Sequence, residues 1–175
     1  EDTDRLTGLS GRGRFLMRLR QVVEDACRDG TTVALLCIDL DNFRRINEAL
    51  GHAAGDDLIR RTAQRLRELL RRDDTVAHLP LPEIPAIDIA RTGGDQFAVL
   101  LHHVRDPFDA EVVAARLTRP LVSESGAGGT PVTVTASVGI ALCPVQATDE
   151  EALFRQASIA MYGAKPRGRG EFASY

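Results

Sequence analysis

Two glycines and an aspartate, Gly93-Gly94-Asp95, stand between two short apolar runs, and this constrains the fold more than any other stretch of the chain. Ile87 to Ala90 before them and Phe97 to Leu101 after them read as strands. Glycine supplies the positive φ that a tight turn demands, so Arg91-Thr92-Gly93-Gly94-Asp95-Gln96-Phe97 predicts a β-hairpin. The same turn carries an arginine, a carboxylate and a carboxamide on backbone almost clear of side chains. Paired glycines let N–H groups approach a phosphate, and a neighbouring carboxylate can hold a hard divalent cation. An ordinary hairpin with a polar tip is the competing reading, because Gly-Asp turns are common. The remainder of the chain has to decide between them.

Upstream, Phe15, Leu16, Leu19, Val22, Val23, Ala26 and Cys27 recur at helical spacing after the turn-rich Asp4-Arg5-Leu6-Thr7-Gly8-Leu9, and Gly30 ends the pattern. Val33 to Ile38 is a continuous apolar run, short enough for a strand buried on both faces, and it leads into Asp39-Leu40-Asp41-Asn42. Carboxylates at the end of a buried strand are costly unless they meet solvent, a cation or a donor. Asp41 and Asn42 fit equally well as caps of the next helix or as direct participants. Phe43 to Leu50 predicts a short helix bearing Asn47, and Gly51-His52 breaks it. A longer helix is expected from Gly55-Asp56-Asp57, where Asp56 would suit the positive end of the dipole. Its arginine-rich side reads as a solvated face.

Pro80, Pro82 and Pro85 exclude a central strand and predict an extended surface excursion. Beyond the hairpin, Asp106-Pro107 starts a helix, and Glu124 to Thr130 reads as a flexible loop. Val132 to Leu142 alternates with period two, as in a single half-buried strand bent at Gly139. Thr148-Asp149-Glu150-Glu151 reads as a capping box opening a last helix to about Ala164. Lys165, Arg167 and Arg169 follow it, where dipole complementation and a solvated tail are the competing reading. Irregular alternation around one hairpin predicts a mixed or antiparallel sheet with helices packed on it, an α+β fold.

With 175 residues, 43% of them hydrophobic, the chain is expected to form one domain spanning residues 1–175. A net charge of −3 implies no bulk attraction to nucleic acid or to an anionic membrane, and no apolar run is long enough to span a bilayer. Cys27, Cys37 and Cys143 are dispersed, without metal-ligand spacing, and read as reduced core residues of a cytoplasmic protein. The start at Glu1 leads us to expect a piece of a longer multidomain protein, whose membrane anchor, if any, would lie elsewhere.

If the Val33–Leu40 strand neighbours the hairpin, Asp39 and Asp95 meet at one end of the sheet. Two such carboxylates would chelate Mg²⁺ while Gly93 and Gly94 cradle the phosphates it bridges. Lys165 and Arg169 could neutralise a triphosphate, and Asn47 and Asp56 supply groups of the kind that read a purine edge. That assembly would suit nucleotidyl transfer to a hydroxyl nucleophile.

These residues resemble a known family, the GGDEF domains or diguanylate cyclases. The resemblance runs from Asp4-Arg5-Leu6-Thr7-Gly8-Leu9 through Asp39-Leu40-Asp41-Asn42-Phe43-Arg44-Arg45-Ile46-Asn47 and Gly51-His52-Ala53-Ala54-Gly55-Asp56 to the hairpin. It continues in Ser137-Val138-Gly139-Ile140-Ala141 and Ala164-Lys165-Pro166-Arg167-Gly168-Arg169. It implies a ferredoxin-like cyclase palm, with a central, mostly antiparallel sheet flanked by helices. Each domain would bind one GTP with Mg²⁺ (or Mn²⁺), and two domains would meet as a homodimer to make cyclic di-GMP. Asp39, Asp95 and the Leu40 carbonyl would be metal ligands, and Asp95 the acid–base group near the attacking 3′-hydroxyl. Asn47 and Asp56 would bind guanine; Arg44, Gly93, Gly94, Lys165 and Arg169 would complete the substrate site.

Three positions depart from the family pattern. Gln96 replaces the usual second acidic residue of the signature and loses its charge. Gly11 stands where asparagine is usual, and Arg44 where lysine is usual, with a planar fork of different reach. The alternative to a working cyclase is therefore a degenerate GTP-binding module that regulates a neighbour, such as a cyclic di-GMP phosphodiesterase. The family's product-binding Arg-x-x-Asp pair corresponds to Arg71 and Asp74, next to the Pro80–Pro85 excursion, which reads as an insertion. A frayed helix end with surface ion pairs is the competing account of that pair.

Overall fold

A strand that is apolar on both faces is stable only inside a sheet covered on two sides. The computed structural model describes residues 2–70, 86–125 and 131–175 and places the Val33 strand there. In chain order the elements are α1 (Arg12–Asp29), β1 (Val33–Leu40), α2 (Phe43–Leu50), α3 (His52–Leu69), β2 (Ile87–Gly93) and β3 (Gln96–Leu101). Then follow α4 (Pro107–Leu117), β4 (Val122–Ser125), β5 (Pro131–Val134), β6 (Ala136–Cys143), α5 (Glu150–Ala164) and β7 (Phe172–Ser174). The main sheet has the order β2-β3-β1-β6-β7 and is antiparallel except for the β6–β7 pair; β4 and β5 form a separate ribbon.

All eight residues of β1 are buried. Side chains alternate across the sheet, so Ala34, Leu36, Ile38 and Leu40 enter a core with Ile59, Leu66, Val113 and Leu117 of α3 and α4. Val33, Leu35 and Cys37 enter the opposite core with Phe15, Leu19, Leu153 and Met161 of α1 and α5. Each fully buried leucine or isoleucine contributes about 1.5–3 kcal/mol, so burial of both faces of β1 anchors the sheet centre. Alternation carries Asp39 onto the α1–α5 side, in register with Gln96 of β3 and Ser137 of β6.

The helices end as their residues dictate. Gly30 closes α1 in the left-handed region at φ 67° and donates to the Ala26 carbonyl. Asp106 caps α4 in a full capping box with Asp109, followed by Pro107.

Several local expectations are corrected. The long helix starts at His52, three residues earlier than expected, so Asp56 lies in its second turn and gains little from the dipole. Asn42 stands at the N-cap of α2 with φ 59°, yet its side chain caps nothing. The stretch from Val132 to Leu142 is two strands in different sheets, interrupted at Thr135 rather than bent at Gly139, and β6 is buried on both faces. Local alternation cannot reveal that α5 covers the second face. Glu124 belongs to β4 instead of a loop, and the last helix is capped by Asp149, whose side chain accepts from the Ala152 N–H. Cys27 is exposed, with its Sγ 3.7 Å from that of buried Cys143. Arg71, Asp74 and the Pro80–Pro85 excursion lie outside the described residues.

Candidate functional site

The strand ends decide where the polar residues meet. Asp39 is the last residue of β1 to face the α1–α5 side, and its side chain is only 8% exposed. A carboxylate this buried needs donors on both oxygens. Lys165, just past the end of α5, donates from Nζ to Oδ1 at 2.7 Å, and Gln96 donates from Nε2 to Oδ2 at 3.0 Å. Burial pulls the Lys165 ammonium down, but the hydrogen bond and charge of Asp39 outweigh it and hold the group above its ordinary pKa.

Asp95 sits half-buried in the hairpin turn, and its carbonyl accepts from the Leu40 N–H at 3.2 Å, which ties the turn to the end of β1. Its carboxyl lies above the ordinary aspartate value, first through burial and then through the negative charge of Asp39. Asp39 and Asp95 thus share one electrostatic environment, as expected from their positions at adjacent strand ends.

Gly93 (φ 154°) and Gly94 (φ 47°) adopt backbone conformations that favour glycine, and nothing would crowd a side chain at either. Glycine is required here by conformation. Arg91 braces the turn by donating to the Gly94 carbonyl from Nη2 at 2.7 Å and from Nε at 3.0 Å, and to Asp4 Oδ2 from Nη1 at 3.1 Å. Burial alone would raise the Asp4 carboxyl, but two hydrogen bonds from Thr7 and the charge of Arg91 hold it below its usual value. The N-terminal turn therefore buttresses the signature hairpin. A cleft of about 370 Å³ lies between them, lined by Asp4, Arg12, Arg91, Gly93 and Gly94 among others.

Asp41 does not cap the next helix. Its carboxylate accepts from Thr135 Oγ1 at 2.6 Å, Ser137 Oγ at 2.7 Å and the Gly170 N–H at 2.9 Å. It locks the start of β6 and the C-terminal segment to the end of β1, which brings Arg169, itself exposed, to the same end of the sheet. Asn47 and Asp56 come from the α2–α3 pair. Asn47 Oδ1 lies 1.7 Å from where a Cβ on Gly55 would stand, so the amide occupies the space that glycine leaves open. That oxygen is buried without a hydrogen-bond partner, while neighbouring Asp56 is exposed. Arg44 points to solvent and pairs with Glu48 at 2.9 Å, away from the carboxylates.

Sequence reasoning missed Tyr162. Its ring lies 5.3 Å from Lys165 Nζ and its hydroxyl 3.5 Å from Gln96 Nε2. The signal available was its spacing, three residues before Lys165 on one helical face. Asp4 was likewise read only as part of a turn.

The donor set fits a hard divalent cation in chemistry: burial and the charge of Asp39 raise the cost of ionising Asp95, which a cation would relieve. Among the described residues no group of three or more His, Cys, Asp or Glu could hold a metal. Further ligands would have to be backbone carbonyls or the bound ligand's own oxygens.

Fold and site together define an α+β domain, a five-stranded mixed sheet flanked by helices, with two carboxylates at a glycine hairpin. The family model for the diguanylate cyclase, GGDEF domain, matches residues 1–171, and the chain belongs to that family. It is 37% identical over 98% of its length to the bifunctional diguanylate cyclase/cyclic di-GMP phosphodiesterase MucR of Pseudomonas aeruginosa, covering 23% of that protein. It is 34% identical over 95% of its length to the cyclic di-GMP phosphodiesterase NbdA of the same organism, covering 19% of it. The GGDEF domain of TpbB (YfiN) from P. aeruginosa superimposes with a TM-score of 0.80 at 35% identity, with 98% of this chain and 93% of that one covered. The chain thus spans about a quarter or less of the two curated relatives named. Among the described residues no helix is long and apolar enough to cross a membrane.

Proposed function

We propose that this domain is a diguanylate cyclase that condenses two GTP molecules into cyclic di-GMP with release of pyrophosphate. The observation that carries the reading is the meeting of Asp39, Asp95 and Lys165 at the hairpin end of the sheet. Lys165 and Arg169 hold the triphosphate, and the open glycine turn at Gly93 and Gly94 lets backbone N–H groups approach it. Asn47 and Asp56 bind guanine: the unpartnered Asn47 oxygen is an acceptor that purine N–H donors would satisfy once the amide rotates off Gly55. Arg44 joins the substrate site only by leaving Glu48 for the nucleotide's phosphates. Asp95 accepts the proton of the attacking 3′-hydroxyl. Asp39, Asp95 and the Leu40 carbonyl would hold Mg²⁺ or Mn²⁺, which supplies charge neutralisation on the reacting phosphate. Each domain presents one nucleotide, so a homodimer is needed to bring the two together.

The second reading, a regulatory GTP-binding module acting on an adjoining phosphodiesterase, is favoured by one observation. Gln96 donates to Asp39 where the family's usual acidic residue would add charge. A single assay separates the two. Protein incubated with GTP and Mg²⁺ should yield cyclic di-GMP with a specific activity that rises with protein concentration. Asp95→Ala should abolish the product and Gln96→Glu should raise its rate. GTP binding without product at any concentration would assign the regulatory role. Product feedback through Arg71 and Asp74 is part of the proposal: the Arg71 fork suits both phosphate and guanine, so cyclic di-GMP should bind the wild type and fail to bind Arg71→Ala.

A further inference from the structure

The departure at position 96 does more than remove a charge, because the carboxamide changes what Asp39 is bonded to. Asp39 is nearly buried, and each of its oxygens already accepts a hydrogen bond: Oδ1 from the Lys165 ammonium at 2.7 Å and Oδ2 from the Gln96 amide at 3.0 Å. The carboxylate fixes which way that amide points, since its oxygen facing Asp39 would be repelled. Tyr162 backs both donors, with its hydroxyl 3.5 Å from Gln96 Nε2 and its ring 5.3 Å from Lys165 Nζ. A glutamate at this position could not donate. It would set a third carboxylate in register with Asp39 and next to Asp95, an arrangement that a divalent cation would relieve. With glutamine, both oxygens of Asp39 are satisfied by residues of the nucleotide-free protein itself.

We propose that Gln96 and Lys165 close the nucleotide-free site to free divalent cations, so that a cation enters only together with a nucleoside triphosphate whose phosphates draw Lys165 off Asp39. This rests on the GTP-binding reading above and adds an order to it. A free hydrated cation would have to strip a charged donor from Oδ1 or an amide from Oδ2. Mg²⁺ also gives up its own water reluctantly, and two carboxylates return little for it. A triphosphate offers Lys165 a stronger anionic partner and brings its own oxygen ligands, so release of Asp39 and delivery of the cation become one event. Gln96 is then the residue that sets the order of binding, and Tyr162 positions the two donors that enforce it.

The test is a titration with Mn²⁺ followed by electron paramagnetic resonance, which reads bound metal without turnover. Without nucleotide, Gln96→Glu should bind Mn²⁺ at least roughly tenfold more tightly than the wild type, as expected for an added carboxylate near the ion. Lys165→Met should also gain affinity for free Mn²⁺. With a non-hydrolysable GTP analogue present, the wild type should take up Mn²⁺ and the gap to Gln96→Glu should narrow. Equal affinity of the wild type and Gln96→Glu for free Mn²⁺ overturns the proposal while leaving nucleotide binding intact. Should thermal melting show Gln96→Glu to be unfolded, Gln96→Ala takes its place, and no gain over the wild type overturns the proposal equally. If calorimetry finds no binding of the analogue to the wild type with Mn²⁺ present, the GTP-binding reading itself falls, and the order of binding falls with it.

Discussion

At the scale of single residues, the site is organised by how few charges it leaves unanswered. Asp39 is satisfied by Lys165 and Gln96, and Asp41 by Thr135 between β5 and β6, Ser137 of β6 and the Gly170 N–H of the C-terminal segment. Asp95 is the exception: burial, then the charge of Asp39, push its carboxyl above the ordinary value. Its ionised form therefore costs stability, by a contribution present once pH exceeds the raised value and absent below the unfolded one. In chelator at neutral pH, Asp95→Asn should melt higher than the wild type. Asp95 is half exposed, so screening keeps the gain under about 1 kcal/mol, or roughly 2 °C for a chain of this size. The same variant should lose cyclic di-GMP synthesis, so calorimetry and product assay together check whether stability was given up for function. The sequence points to Asp95 by its place in the turn, but the repulsion becomes visible only when β1 is seen beside β3.

At the scale of elements, α5 delivers Lys165 and Tyr162, and one glycine determines how closely it can approach. Gly139 of β6 faces α5, and a Cβ there would stand 2.1 Å from both the Ala157 carbonyl oxygen and the Met161 N. Those are backbone atoms, which cannot swing aside as a side chain could. Gly139→Ala should therefore cost at least about 3 kcal/mol, the upper end for overpacking, read as a lower urea midpoint with an unchanged slope. Because α5 must retreat to admit the methyl group, the variant should also weaken nucleotide binding relative to any equally destabilised core variant. From the sequence Gly139 reads as a bend within a long alternating strand. That reading fails because period two reports one buried face and is silent about a helix lying on the other. The start of α3 was misplaced for a related reason. Gly55 looks like a helix opener, whereas its lack of a side chain makes room for Asn47 from α2.

At the scale of the whole molecule, long-range polar contacts pin the outer strand to the layers around it. Asp88 of β2 lies 2.8 Å from His102 Nε2 and 3.3 Å from Arg18 Nε of α1. The His102 hydrogen bond is the main cause that holds the Asp88 carboxyl below its usual value near 3.8. For a carboxyl with a lowered folded value, the stabilisation is present above the unfolded value and is lost as pH falls through the folded one. Melting curves from pH 6 downward should show an acid-side loss that begins near that usual value, and Asp88→Asn should flatten it. An identical acid limb in the variant would remove this contact from the account. The sequence by itself determined the hairpin, the buried β1 strand, the capped α4 and the set of polar residues at the strand and helix ends. These are legible because turn chemistry, capping and apolar runs are local, and each is written in a few consecutive residues. Only the tertiary structure decided that Gln96 and Lys165 share Asp39, that Asp41 anchors the C-terminal segment, and that Tyr162 stands behind the site. Those contacts join residues 57 to 129 positions apart. No spacing rule spans such distances, because their geometry is fixed by the order of strands in the sheet and the depth at which α5 rests on Gly139.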